Sequence, residues 1–447
     1  PVAAGYIPDG ALDITNAGTV HGHLLNLDRF ENRGTIDLSD NGQAGDVLLI
    51  TGGATAGANG GGKFVADGGF LILDTVLNDG GVNSLSDVLV VDDIEAGGDV
   101  TRITINRVGG LGAITIGDGI KVVDVLGNAD AGSFALDGVV RGGIYEYTLH
   151  EGSVTTPGNN SLFLRTNAQQ LNPDIGSYLA NQTAATGLFM HSLHDRLGEP
   201  QLYQNYREED KSIPAVWLRA VAGHTKNEAG GGLLNQHSES TLLHLGGEVA
   251  DWSSNGDDRF HLGLMGAWGR TETKTTSQAT GSRVKGTVDG YGVGAYLTWY
   301  DNPANVEGWY SDVWTMYNWF NNETEGSAKY DSESWTTSLE VGYAMKLRAL
   351  ENYDWMLEPQ GQVAYNYYSV DSIKDRNGMK VTDSDANGFA TRLGMRTYLR
   401  PSTFRNGAQP FFEVNWLYNS ANNSMMFNDA RIADDTPENR FEAKVGV

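Results

Sequence analysis

The chain has 447 residues, of which 58 are glycine, 11 proline and 10% aromatic, and it carries a formal net charge of −25. This length suits two or three domains, and its Val, Ile, Leu and aromatic content excludes a disordered or collagen-like chain. So acidic a chain is a poor partner for nucleic acid, and with no cysteine it has no disulfide scaffold, thiolate metal site or cysteine nucleophile.

No run of 18 apolar residues is present, so no transmembrane helix is expected. The start, Pro1 to Gly5, lacks the basic and apolar stretches of a signal peptide, which places any export signal upstream.

Residues 1 to about 166 are glycine-rich, with short apolar runs between Gly, Asn and Asp turns. Gly45–Thr51, Gly69–Leu73, Asp87–Asp92, Thr101–Asn106 and Gly119–Val125 are each of strand length and rich in β-branched residues. Two related phrases recur, Asn16-Ala-Gly-Thr-Val20 and Asn32-Arg-Gly-Thr-Ile36. Many short strands between regular turns suit coils stacked into a parallel β-helix; a β-sandwich remains the alternative.

A polar break at Gln169–Pro173 follows. Asp174 after Pro173 is a helix start. Leu179, Thr186, Phe189, Met190, Leu193 and Leu197 form an incomplete apolar stripe at helical spacing. A helix through Leu197 would be about 30–35 Å long, enough to traverse a bilayer-height pore, and too polar to face lipid.

Residues 215 to 447 show a pattern of period two. Phe260, Leu262 and Leu264 alternate with His261, Gly263 and Met265; Leu339, Val341 and Tyr343 with Glu340, Gly342 and Ala344; Phe412, Val414 and Trp416 with Glu413 and Asn415. Each segment is about 9–11 residues long, with one apolar face carrying aromatics near its ends and one polar or glycine face, which predicts an antiparallel transmembrane barrel with a wet lumen. Trp309 to Phe320 has aromatics at both parities, so its facing is ambiguous. Ten strands are expected, starting near Ala215, Thr241, Phe260, Tyr291, Trp309, Thr337, Trp355, Phe389, Phe411 and Phe441. The register turns Arg219, Glu248, Glu340, Glu358, Gln360, Arg392, Arg396, Glu413 and Lys444 toward the lumen. Such charges would hold the linker helix in a hydrated conduit, or are simply tolerated by a wet interior; both signs occur, so a mutual salt-bridge network and a substrate role are equally open.

Other motifs read as structure. Asp383-Ser-Asp-Ala-Asn-Gly388 begins like a calcium loop, but position twelve is Gly394 and not the bidentate Glu, so a polar barrel turn is preferred. His21-Gly-His23 lacks a third ligand and reads as solvated turn histidines. Gly290, Gly292 and Gly294 precede no helix and form no dinucleotide fingerprint. No nucleophile elbow, phosphate loop or zincin motif appears, so no catalytic residue, metal or cofactor is assigned.

Three pieces together resemble the C-terminal portion of a classical (type Va) autotransporter of the self-associating adhesin kind. Asp87–Val91 through Gly119–Val125, Gly132–Leu136 and Gly143–Leu149 look like an autochaperone region; Asn172–Gln182 with His194–Gly198 is similar to the linker helix in a translocator pore; Val216–Arg219 looks like the first barrel strand. The resemblance implies passenger β-helix over 1–85, an autochaperone-like cap over 86–166, a pore helix over 167–198 and a barrel over 210–447. It implies a right-handed β-helix and twelve barrel strands, so two strands and the terminal aromatic assembly signal are expected beyond Val447. Pore-helix residues would be Tyr178, Leu179, Asn181, Gln182, Phe189, Asp195 and Arg196. Some relatives separate passenger from barrel at an Asn-Asn pair in this helix; here the pair is Asn181-Gln182, so self-cleavage stays open. Implied partners are outer-membrane lipid, the barrel-assembly machinery, periplasmic chaperones, and either passenger self-association or a host-surface ligand. The function implied is secretion and display of the chain's own passenger from the outer membrane. An adhesive β-helix anchored by the barrel and a passive porin with a soluble cap are the alternatives.

Overall fold

Runs of β-branched and apolar residues broken by turns have one face to bury, and in the N-terminal unit they bury it by stacking. The computed structural model describes residues 13–20, 22–39, 41–53, 59–197, 216–301, 307–401 and 408–447. Two compact units are present, Pro1–Asn172 with Ser277–Ser282 and Asp375–Lys380, and Pro173–Thr276 with Arg283–Lys374 and Val381–Val447.

The first unit is a β-solenoid. One wall stacks Asp13–Asn16, Arg29–Asn32, Lys63–Ala66 and Asp93–Ala96 in parallel. A second stacks Thr19–Val20, Thr35–Asp37, Phe70–Val76, Thr101–Gly109 and Phe134–Leu136, also parallel. The third begins with parallel Val47–Ile50, Val88–Val91 and Ile120–Val125. It ends with antiparallel Leu162–Arg165, Tyr145–Glu151 and Val140–Gly142. Parallel ladders rule out the sandwich, whose sheets are antiparallel. The antiparallel turn-back covers the last coil's open edge, as a terminal capping unit must.

Stacking puts like on like. Phe30, Phe64 and Phe134 form a column with centroids 5.6 and 5.8 Å apart. Leu48, Leu89 and Val123 form another buried row. The corners use polar side chains: Asn16 Nδ2 donates to Asn32 Oδ1 at 2.9 Å. Tyr147 is buried with its hydroxyl on the carbonyls of Asn78 and Ala113, and burial pushes its pKa up to about 12.

Asp118 holds the turn after Glu151, accepting from the N–H groups of Val154 and Thr155 at 2.7 and 2.9 Å and from the Ser153 hydroxyl at 2.8 Å. Partial burial opposes its charge, but hydrogen bonds from Thr155, Ser153 and Val154 outweigh it and hold the pKa down to about 2. The folded value lies below the unfolded value of about 3.9. Its contribution is therefore full above pH ~4 and is lost as pH falls toward 2. Pulse proteolysis of the solenoid across that window should show wild type losing stability that Asp118→Asn does not lose; parallel acid limbs would overturn this.

The second unit holds ten antiparallel strands, each beside its neighbour in sequence: Val216–Ala229, Leu234–Trp252, Arg259–Ser277, Arg283–Tyr300, Gly308–Thr324, Ala328–Ala349, Tyr353–Val370, Gly388–Pro401, Phe411–Asn419 and Asn439–Gly446. The strand number matches expectation, although the start near Ala215 lies outside the described residues. The lengths differ. The second to seventh strands run 17 to 22 residues. Their hairpins stay paired well past the 9–11 or so residues that a tilted strand needs to cross the hydrocarbon. Ile373–Lys374, Lys380–Asp385, Ser424–Phe427 and Ala430–Ala433, from two long connections, form a separate four-stranded sheet.

Alternation works as predicted: Leu264, Val293, Leu339, Val363 and Leu393 are exposed on the outer face, while the residues on either side of each are buried or half-buried. The ambiguous segment resolves as Trp309, Val313, Tyr317 and Trp319 outward with Tyr310, Trp314, Met316 and Phe320 inward. Aromatics occupy both parities because the inward ones pack on the linker: Phe320 stacks on Phe189 at 5.9 Å and Trp314 on His191 at 4.2 Å.

The helix is shorter than predicted. It runs Asp174–Gly187 and a second one Leu193–Leu197, so the main rod is about 21 Å long, not 30–35 Å. It ends at Gly187, a poor helix former. The unwound stretch that follows lets Phe189 and His191 reach their two wall aromatics.

Candidate functional site

A polar helix is stable in a low-dielectric interior only if its side chains find partners there, and Asp174–Gly187 finds them on the barrel strands and their connections. Ser177 Oγ lies 3.0 Å from Thr324 Oγ1, and Tyr178 OH 3.2 Å from Ser327 Oγ. Asn181 Nδ2 donates to the Glu323 carbonyl and to Tyr330 OH, both at 3.2 Å. Gln182 Oε1 accepts from Ser384 Oγ at 3.1 Å, and Gln236 Nε2 donates to the Gly176 carbonyl at 2.7 Å. Leu179 is fully buried beside them. The wall makes room with glycine: a Cβ on Gly286 would sit 2.6 Å from Ser177 Oγ and 2.7 Å from Asn181 Oδ1.

Beyond the break, three consecutive residues each meet a complementary partner on a different strand. His194 Nε2 donates to Glu358 Oε1 at 2.6 Å. Asp195 Oδ1 accepts from Lys444 Nζ at 3.1 Å. Arg196 clasps Asp312 with both guanidinium nitrogens, at 2.6 and 3.2 Å. The Arg196 and Asp312 side chains are both 0% exposed. Arg196 also donates to Thr298 Oγ1 at 3.0 Å and lies 4.0 Å above the Tyr296 ring. The Leu193 N–H donates to Glu340 Oε2 at 3.0 Å, and Gln362 Nε2 to the His191 carbonyl at 2.8 Å.

The wall charges are themselves linked. Arg392 is 2.9 Å from Glu340 and 2.6 Å from Gln360 Oε1. Arg396 reaches Glu413 at 3.0 Å and lies 3.6 Å above Phe411. Lys444 is 3.8 Å from Glu413. Glu340, Glu358, Gln360, Arg392, Arg396, Glu413 and Lys444 thus come together around Leu193–Leu197. Glu248 meets His261 at 3.1 Å. Arg219 lines a cavity of about 690 Å³ beside the linker, with Asp195, Lys444 and Arg392.

Sequence reasoning does not single out Asp312, Thr298 and Tyr296, which hold Arg196, or His194, which meets Glu358. Asp312 sits in the strand whose facing was ambiguous. His194 had a signal, since it lies within the quoted His194–Gly198 motif. The calcium-like segment is part of the loops: Asp385 accepts from Asn422 Nδ2 at 2.8 Å, and Asn387 Oδ1 from the Tyr368 N–H at 2.6 Å. The Asp383 side chain and His21 lie outside the described residues. His23 Nδ1 accepts from the Leu49 N–H at 3.2 Å.

Two family models match the chain, the autotransporter β-domain over residues 216–447 and the autochaperone domain type 1 over 60–149. The second match starts and ends earlier than the 86–166 expected from the motifs. A protein of Escherichia coli K12 described as uncharacterized protein YdeU is 33% identical over 446 residues, covering 92% of each chain. The autotransporter adhesin AIDA-I of Escherichia coli is 28% identical over 83% of this chain, which spans 30% of the adhesin's length. The crystal structure of the transport unit of AIDA-I aligns with a TM-score of 0.53 and 25% identity, covering 62% of this chain and 88% of that one.

Proposed function

Since the chain belongs to the autotransporters, with an autochaperone region and a β-domain that resides in the bacterial outer membrane, we propose that its barrel keeps residues 173–197 as a fixed plug, tethering the solenoid to the cell surface. The buried Arg196–Asp312 pair carries this reading. A chain only in transit needs no fully desolvated bidentate ion pair with the wall, and such a pair disfavours any other position of the segment. The helix supplies the rest of the seal through Ser177, Tyr178, Asn181 and Gln182.

Secretion then needs no nucleotide or ion gradient. Each solenoid coil that folds outside templates the next and biases the chain outward, and the capped last coil ends that stack. The likeness to an adhesin supports reading the solenoid as the end of an adhesive passenger.

Single-channel recording tests the plug. The full chain should conduct far less than a variant lacking residues 173–197. Equal conductance would favour the open porin with a soluble cap.

A further inference from the structure

We propose that the barrel reads its linker by charge register: Glu358, Lys444 and Asp312 form a site that accepts an imidazole donor, an acid and a cation at three consecutive positions. This rests on the plug reading and adds what determines where the linker stops. Side chains on a helical turn fan out by about 100° per residue. His194, Asp195 and Arg196 therefore point to three strands, Tyr353–Val370, Asn439–Gly446 and Gly308–Thr324.

The wall separates two kinds of acid. Glu340 and Glu413 have wall arginines within 3.0 Å. Glu358 and Asp312 have neutral wall donors, Gln360 and Thr298. Among the described residues, the groups in direct contact with these two carboxylates from the linker are the His194 imidazole and the Arg196 guanidinium, and the wall's Arg396 acts on Glu358 from farther away. Both carboxylates are buried at 0% exposure, so a slip of one residue would bring Asp195 against one of them with no water to screen the repulsion. Such a slip is rejected by like charge as well as by lost pairing.

Residues 1–193 offer no competitor. A His, Lys or Arg followed by an acid and then Lys or Arg occurs once in residues 1–197, at His194-Asp195-Arg196. Arg196 is also the only Lys or Arg between Pro173 and Leu197. Residues 1–193 can thus slide through the lumen without matching the wall.

The absence of native cysteine allows a clean test. Ser177→Cys with Thr324→Cys, whose hydroxyls are 3.0 Å apart, reports the register of the helix by oxidant-driven disulfide formation in the full chain in outer membranes. Arg196→Asp or Asp312→Arg alone should lower the crosslinking rate at least ten-fold, and the two together should restore it to within a few-fold. Asp195→Lys with Lys444→Asp gives a second swap at a less buried pair, for use where heat-modifiable mobility shows that the first barrel has not folded. If the single reversals crosslink at the parental rate, or neither swap restores a folded barrel's rate, charge register is wrong although the plug stands. If the parental reporter does not crosslink and the full chain conducts like the linker deletion, the plug reading itself fails.

Discussion

Arg196→Met should unseat the linker and raise the open probability of the channel by at least about a hundred-fold. The methionine fills similar volume but leaves the Asp312 carboxylate, 0% exposed, with the Thr298 hydroxyl as its remaining partner. Removing one member of a buried pair costs about 3–5 kcal/mol, because a desolvated charge is left uncompensated. Arg196 also loses its hydrogen bond to Thr298 and its place over Tyr296. Adding Asp312→Asn should recover much of the closed state, since replacing both partners of a buried pair is often nearly neutral. This non-additivity is the diagnostic result. If Arg196→Met gates like wild type, the pair does not hold the plug; if the double variant is as open as the single, the loss was packing and not stranded charge.

The features legible in the sequence are those set by local periodicity. Period-two alternation fixes which face of a strand meets lipid, so ten strands and the inward positions of Glu340, Glu358 and Glu413 could be placed from pattern alone. Helix onset at Asp174 follows from the preceding proline. Features that depend on what fills the lumen were not legible. Gly308–Thr324 carries aromatics on both faces because one set meets lipid and the other meets Phe189 and His191. The same ambiguity hid Asp312, whose partner lies 116 residues away. The helix break has the same origin: the stripe continues to Leu197 in sequence, but wall contacts past Gly187 favour an unwound chain. Asp and Gly boundaries mark the solenoid runs in the sequence, but the pattern shows those residues only as turn formers.

Two of those boundary residues, Asp87 and Asp92, carry the largest stability effects expected in the solenoid, and their amide variants should separate. Asp87 is fully buried and uses both oxygens: Oδ1 accepts from the N–H groups of Gly45 and Asp46 at 2.9 Å each, and Oδ2 from Asp74 at 2.7 Å. Asp92 uses one: Oδ2 accepts from Gly52, Gly60 and Gly62 at 2.7, 3.0 and 2.9 Å, while its buried Oδ1 meets no donor. Alanine at either site strands three backbone donors, at about 1–3 kcal/mol for each one left unsatisfied. Asparagine at 92 can place its single carbonyl oxygen where Oδ2 lies and keep all three bonds, weakened by loss of charge. Asparagine at 87 must turn an NH₂ toward a backbone N–H, so at least one donor is lost and two donors face each other. Asp87→Asn should therefore destabilise by about 1–2 kcal/mol more than Asp92→Asn, although both remove one charge from a buried corner. Every tryptophan lies at position 217 or beyond, so fluorescence follows the barrel, and pulse proteolysis over a urea series is the measurement for the solenoid. Equal midpoints for the two amide variants would mean that charge, and not the number of oxygens in use, holds these corners together.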